Sequence, residues 1–176
     1  MRAKQKEVTD FSEICEIIAK CDTIRIAMFD GEYPYIVPLN FGEKVEDGKV
    51  VFYLHAAKEG KKIDLLRENP HVAFEMDCGH ELYYRTGNMS CNFRYESVMG
   101  TGRVEFLPQE ESAKALTVLM NHYHADPVPF NPKFVPITLC MKLTVETLTA
   151  KRAKPRSTTG DYNVMPFKGD MLSPHE

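Results

Sequence analysis

His55, Lys58, Lys61 and Lys62 fall in one run, VVFYLHAAKEGKKIDLLRENP, from Val50 to Pro70. The run begins apolar, β-branched and aromatic. It breaks at small residues and Gly60, then continues as an amphipathic helical pattern with basic residues at its start. A strand that feeds a glycine and a lysine-bearing helix N-terminus is suited to hold a phosphate. The first N–H groups of a helix have no partner within it, and the helix dipole favours an anion there. The three lysines add formal charge. His55, at the end of the strand, could bond a ligand or move a proton near neutral pH. The same residues also read as a solvated connection with surface lysines and a satisfied structural histidine, and a short motif does not choose between the two.

Two further stretches could contribute. In Val37-Pro38-Leu39-Asn40 a proline interrupts a strand pattern and leaves backbone groups outside the ladder. Those groups and the Asn40 amide could bond the polar edge of a planar heterocycle; an ordinary edge strand explains the pattern as well. Arg94-Tyr95-Glu96-Ser97 leads into a glycine-containing strand and could supply polar contacts, or be a solvated loop. Cys78, His80 and Glu81, like His122 and His124, lack the spacing of a zinc site, so no metal is expected. No local Cys–His signature marks a nucleophile.

The elements that must position these residues follow from periodicity and turn chemistry. Asp10 with Glu13 makes a capping box for a helix from Phe11 to about Lys20, with Phe11, Ile14, Ile17 and Ile18 on one face. Thr23 to Phe29 alternates as a half-buried strand. Asp30-Gly31 turns it into a return strand, Tyr33 to Phe41, whose Pro34 and Pro38 predict an edge or a bulge. Asp47-Gly48 precedes a strand over Val50 to His55, and Lys61 to Glu68 is a short helix stopped by Asn69-Pro70. His71 to Asp77 is a strand. Leu82 to Tyr84 suggests another, with Thr86 to Cys91 irregular. Ser97 to Leu107 returns as a strand, with Val98, Gly100, Gly102, Val104 and Phe106 on one face; glycines there predict a sharp bend or the close approach of another backbone. Pro108 opens a helix to about Tyr123, with Ala113, Leu116, Met120 and Tyr123 as its buried stripe. Residues 125–136 form a proline-rich loop. Ile137 to Val145 alternates over a long strand.

This order gives six or seven antiparallel strands with flanking helices, and no βαβ alternation. A mainly β, closed antiparallel barrel fits best. The 176 residues suggest one domain over 1–153 and a polar tail over 154–176, extended and ordered only where it packs on a partner. The chain is 43% hydrophobic with a net charge of −3, so no basic field points to nucleic acid or an anionic membrane. No apolar run approaches the roughly 20 residues of a membrane span, and no apolar stretch follows the charged start MRAKQKEVTDF as in a secretory signal. Five widely spaced cysteines without a C-x-x-C pair fit reduced thiols in a cytoplasmic protein.

The segments PYIVPLNFG, VFYLHAAKEGKKIDLLRENPHVAFE, YESVMGTGRV and LTAKR, in this order and spacing, resemble the pyridoxamine 5′-phosphate oxidase-related FMN-binding split barrels. The closest branch is the nitroimidazole-resistance (Nim-type) flavoproteins, and the likeness covers roughly residues 1–153. The H-x-A-x-E-G-x-K-x-D-x-L-x-x-N-P pattern from His55 to Pro70 is its most specific part. The resemblance implies a split β-barrel and a homodimer with FMN at the subunit interface. It implies a flavin phosphate against Lys61 and Lys62 with Lys58 nearby, and the isoalloxazine ring along Val37, Pro38, Leu39 and Asn40. His55, followed by Ala56, would lie near the ring. The partner would contribute from the segment Arg94, Tyr95, Ser97 and Val98, and Arg152 would reach the site from the C-terminal end. Lys61-Lys62 stands where pyridoxamine phosphate oxidases carry Arg-Lys, and the tail shows no pattern like their C-terminal arginine and histidine that hold the substrate. The resemblance therefore implies a substrate other than a B6 vitamer.

The leading expectation is an FMN-dependent oxidoreductase that reduces a small acceptor such as a nitro compound, with NAD(P)H or another electron donor and with His55 as proton donor. A flavin- or haem-binding protein without its own catalysis is the alternative, with His122 and His124 as axial candidates for haem. A deazaflavin reductase is a third. Fold analogy alone does not choose among them.

Overall fold

The computed structural model describes residues 4–85, 89–124, 131–153 and 162–165 of the chain. The strands are β1 (Glu7–Val8), β2 (Ile24–Met28), β3 (Tyr35–Leu39), β4 (Phe41–Glu46), β5 (Lys49–Ala56), β6 (His71–Arg85), β7 (Ser90–Phe106), β8 (Leu139–Ala153) and β9 (Tyr162–Met165). The helices are α1 (Phe11–Ile18), α2 (Lys61–Glu68) and α3 (Ser112–Tyr123), with short 3-10 turns beside them. Seven strands form one path, β3-β2-β6-β7-β8-β5-β4, while β1 pairs with β8 and β9 with β6. Every pairing is antiparallel. The ends of the path, β3 and β4, are consecutive in the chain and separated by Asn40 alone. A sheet whose terminal strands are joined so tightly must curl on itself, and the result is the mainly β split barrel that the sequence predicts. Among the described residues no helix is long and apolar enough to cross a membrane.

The proline-bearing stretch read as one return strand is thus two strands on opposite ends of the sheet. Pro38 sits opposite Arg25 on the terminal strand β3, where a missing N–H leaves no inner ladder broken. Strand β5 is buried on both faces. Val50, Phe52 and Leu54 enter the barrel core, whereas Val51 and Tyr53 lie under α3 with Ala115, Val118 and Cys140. Gly100 and Gly102 sit where β7 meets β8 across a register shift. A Cβ on Gly100 would lie 2.2 Å from the Thr147 carbonyl, and one on Gly102 2.4 Å from that of Thr144, so the close backbone approach read from the glycines is present.

Three further expectations need correction. Helix α3 buries Ser112, Ala115, Val118 and Leu119, not the stripe through Ala113 and Leu116. It docks on β4 at Gly42, where a Cβ would come within 2.5 Å of the Leu119 Cα and the Val118 carbonyl; this tertiary contact sets the helix rotation. Of the segment expected to be irregular, Ser90 and Cys91 belong to β7, which pairs with β6 as far as Arg85, while 86–88 lie outside the described residues. This arm has no buried face among Glu81–Tyr84 and Ser90–Tyr95, so no alternation marks it. In the tail, β9 pairs with Leu82–Arg85 of its own chain. The rest of 154–176 lies outside the described residues, as do 125–130 of the loop expected over 125–136.

Candidate functional site

Strand β5 delivers His55 to the rim of the barrel. By alternation His55 shares the face of Val51 and Tyr53, and it pairs across the ladder with Cys140. Strand β3 ends beside it. Thr23, Pro38, Leu39, Asn40 and His55 line a shallow cavity of about 240 Å³. The His55 Nδ1 is buried and has no hydrogen-bond partner among the described residues. An unpaired buried polar atom is costly, which marks this one for something beyond the single chain. Burial, and then the Lys62 charge, push the imidazole below its ordinary value, so it is neutral at pH 7. A neutral ring can bond a ligand through its free nitrogen; it does not hold the spare proton that the acid role requires. Val37 packs toward the barrel core and Ala56 is half-buried at the strand end, so neither side chain lines the cavity.

The turn after β5 places the lysines. Gly60, at φ +123°, is the N-cap of α2, in a conformation that favours glycine, and it supplies no side-chain cap. Its carbonyl accepts from the Ile63 and Asp64 N–H groups, 2.8 and 3.2 Å away. Ile63 and Leu66 bury one side of α2 and hold its N-terminus in place. Lys61 and Lys62 then diverge. The Lys61 ammonium lies 2.6 Å from the Asp30 carboxylate and 5.0 Å from the centre of the Tyr35 ring. Lys62 is half-buried and forms no ion pair among the described residues, and burial alone lowers its pKa. Lys58 is exposed in the bend before Gly60. An open helix N-terminus, an uncompensated lysine and an orphaned imidazole nitrogen therefore lie at one edge of the barrel. They can take an anion and a hydrogen-bonding ring. Asp30, Tyr35 and Thr23 join this group from the β2–β3 hairpin. Only the pairing of that hairpin could have disclosed them, since nothing in their own types marks them.

The remaining expected residues lie elsewhere. Arg152 follows Cys140, the partner of His55, by twelve positions on β8, up to about 40 Å along an extended strand. Ser97 pairs with Lys151 and Tyr95 with Ala153, so this whole group occupies the far end of β8. Arg94 bonds the Glu81 carboxylate at 2.9 Å, and Tyr95 lies under the Lys6 ammonium at 5.9 Å. Arg152 bonds Glu96 and Glu13. Glu96 is 4% exposed and also faces Lys20 at 3.1 Å, so the Arg152 charge is already answered. The Val98 side chain is wholly inside the core and cannot meet a ligand. A single chain therefore does not bring its two groups of candidates together.

The histidines weighed for haem differ in setting. His122 Nδ1 is 2.6 Å from the Glu43 carboxylate and Nε2 is 2.7 Å from the Cys21 carbonyl. Both nitrogens face acceptors, which leaves neither for iron. Burial opposes its charge but is outweighed by Glu43, the Cys21 carbonyl and Asp22, so its pKa is raised. His124 is exposed at the end of α3. Among the described residues no group of three or more His, Cys, Asp or Glu is placed to hold a metal.

A family model described as pyridoxamine 5′-phosphate oxidase matches residues 10–152. No curated protein matches the chain. Among solved structures, the chain is 34% identical to a candidate 5-nitroimidazole antibiotic resistance protein from Bacteroides thetaiotaomicron, with a TM-score of 0.71 over 83% of this chain and 86% of that one. The FAD and heme binding protein from Mycobacterium smegmatis superposes with a TM-score of 0.74 at 16% identity, over 92% of this chain and 84% of that one. The flavocytochrome Anf3 from Azotobacter vinelandii does so at 0.69 and 17%, over 100% and 79%. At these lower identities the likeness is one of fold.

Proposed function

Because the chain belongs to the pyridoxamine 5′-phosphate oxidase family, we propose that it is an FMN-dependent oxidoreductase. Two copies hold the flavin between them, and a small acceptor such as a nitro compound is reduced. The observation that carries this reading is the orphaned Nδ1 of His55 beside the uncompensated Lys62, at the open N-terminus of α2. These groups fit a ligand that has a phosphate at one end and a hydrogen-bonding ring at the other. When bound, FMN supplies the redox chemistry, taking electrons from a donor such as NAD(P)H and passing them to the acceptor.

The chain's own residues bind and orient. Lys62 and the first N–H groups of α2 meet the phosphate, and Lys61 joins them from its place between Asp30 and Tyr35. Pro38, Leu39 and Asn40, which line the cavity beside His55, would form the wall on the ring side. His55, neutral, would bond the ring side through Nδ1. The proton needed by a reduced acceptor then comes from another group or from water. The separation of the two candidate groups along β8 supports a homodimer in which the Arg94–Ser97 end of one copy completes the cleft of the other. The apolar surface around β3 supports it too: Phe29, Tyr33 and Ile36 are 67%, 70% and 58% exposed.

The visible absorption spectrum of the purified protein tests this reading. We expect flavin bands and a released molecule of FMN size, followed by acceptor-dependent oxidation of NAD(P)H. A colourless protein that takes up no FMN overturns the reading. A Soret band points to haem. Bound flavin without turnover of any nitro or quinone acceptor leaves a flavin carrier.

A further inference from the structure

Cys21 closes the turn after α1. Its N–H donates to the Ile18 carbonyl at 3.0 Å, and its thiol to the Ile17 carbonyl at 3.3 Å. Cys78 stands on β6, and its thiol points at the same Ile17 oxygen from 3.8 Å. Both thiols therefore aim at one carbonyl oxygen, which places the two sulfurs side by side. From these contacts we propose that Cys21 and Cys78 are a modification site, forming a reversible disulfide that ties the end of α1 to β6.

A disulfide requires the sulfurs to close to about 2.05 Å, which two thiols that share one acceptor are placed to do. The backbone can supply it. Immediately after Cys78 the β6–β7 register shifts, and Gly79 adopts φ +66°. A bulge bends its strand at the place where Cys78 must move. The two sulfurs differ in access. Cys21 is 1% exposed, whereas Cys78 is half-buried, so an oxidant from solvent meets Cys78 first. Burial, with the Glu96 and Asp77 carboxylates, raises the Cys78 thiol, offset in part by the neighbouring Cys21 thiol and the Lys20 charge; burial holds Cys21 far higher. Cys78 is accordingly the attacking sulfur and Cys21 the resolving one.

With a hydroperoxide as oxidant, the Cys78 thiolate attacks one peroxide oxygen and the O–O bond breaks. Cys78 becomes a sulfenic acid, and water or an alcohol leaves. The Cys21 sulfur gives up its proton and attacks the Cys78 sulfur. The S–S bond forms and water is released. Two thiols lose two electrons and two protons, and the peroxide is reduced to water and an alcohol, or to two waters. The other cysteines are placed differently. Cys91 is exposed on the hairpin arm, and the buried Cys140 directs its thiol to the Ser112 carbonyl. The new bond would sit against residues 21–23, whose backbone carries the His122 contact and leads to Thr23 in the cleft.

The test treats the full chain, as C91S to remove intermolecular linkage, with stoichiometric hydrogen peroxide. Thiols are counted after denaturation, and non-reduced peptides are mapped by mass spectrometry. We expect the loss of two thiols, a peptide pair joining Cys21 to Cys78, and full reversal by dithiothreitol. C21S should then stop at a Cys78 sulfenic acid trapped by dimedone, and C78S should lose no thiol under the same treatment. An unchanged thiol count, or a linkage through Cys15 or Cys140 with the pair left reduced, overturns the proposal. If C21S fails to fold, the peptide map of the C91S chain and the C78S variant still decide it.

Discussion

At the scale of single residues, the two histidines His55 and His122 are opposite cases. His55 carries a buried nitrogen that nothing in its own chain satisfies. Replacing it with Phe should leave the unliganded protein as stable or slightly more so, because an unmet polar atom is removed. The same change should weaken FMN by roughly tenfold, the worth of one hydrogen bond of about 1.4 kcal/mol. Thermal unfolding without cofactor and flavin-fluorescence titration check the two halves separately. An equal loss in both would mean that His55 is structural. Burial opposes the charged form of His122, but Glu43 and the Cys21 carbonyl outweigh it, and its folded pKa is raised. Its stabilising contribution is complete below the unfolded value of about 6.5 and is lost as pH rises through the raised folded value. Urea unfolding at successive pH values should show stability falling across that window, and the slope should vanish in H122Q. The types and spacing of His55 and Lys62 were legible in the run from Val50 to Pro70. The neutrality of His55 was not, because it comes from burial and from the nearness of Lys62.

At the scale of elements, two glycines set where helices sit. Gly42 lets α3 lie against β4. Gly42→Ala should destabilise the protein by about 1–3 kcal/mol through overpacking, seen as a lower denaturation midpoint with little change in cofactor affinity per folded molecule. Gly60 has open space around it, with nothing within 4 Å of an added Cβ, but its φ of +123° disfavours any side chain. Gly60→Ala should therefore cost roughly 1–3 kcal/mol of backbone strain at the first turn of α2. FMN, or the phosphate anion in competition with it, should bind more weakly as that turn moves. A variant that binds normally would remove the α2 N-terminus from the site. Helices α1 and α2 were readable because Asp10, Gly60 and Asn69-Pro70 punctuate them locally. The existence of α3 was readable as well, but its rotation was not. Its apolar residues allow more than one stripe, and the choice is made by Gly42 on a distant strand.

At the scale of the whole molecule, the proposed site is divided between the ends of β8. In a two-fold dimer each cleft would draw on both chains. K62E and R94E should each lose FMN alone, by removing opposite halves of the same cleft. Refolding an equal mixture should restore about a quarter of the sites, since each heterodimer holds one cleft with both lesions and one with none. Flavin content per chain measures this directly, and no recovery would mean that each chain forms its own site. The antiparallel class and the approximate strand number were legible from turns and alternation. The splitting of the Tyr33–Phe41 stretch was not, because a strand pattern continues through Asn40 while its pairing partners change. The hairpin arm was obscure for a simpler reason, that a strand without a buried face carries no alternating signal.

The link at Asn40 also bears on how the barrel assembles. Strands at the two ends of a hydrogen-bonded path would ordinarily have to find one another across a long loop, at an entropic cost that grows with the loop's length. Here the chain itself holds them one residue apart. Ring closure is therefore a local event, and the slow search belongs to β2 with β6 and β5 with β8. A chain cut at Asn40 would keep every ladder bond of the sheet. It would lose the tether that lets β3 and β5 meet without a search, and with it the shared wall of Pro38, Leu39 and His55.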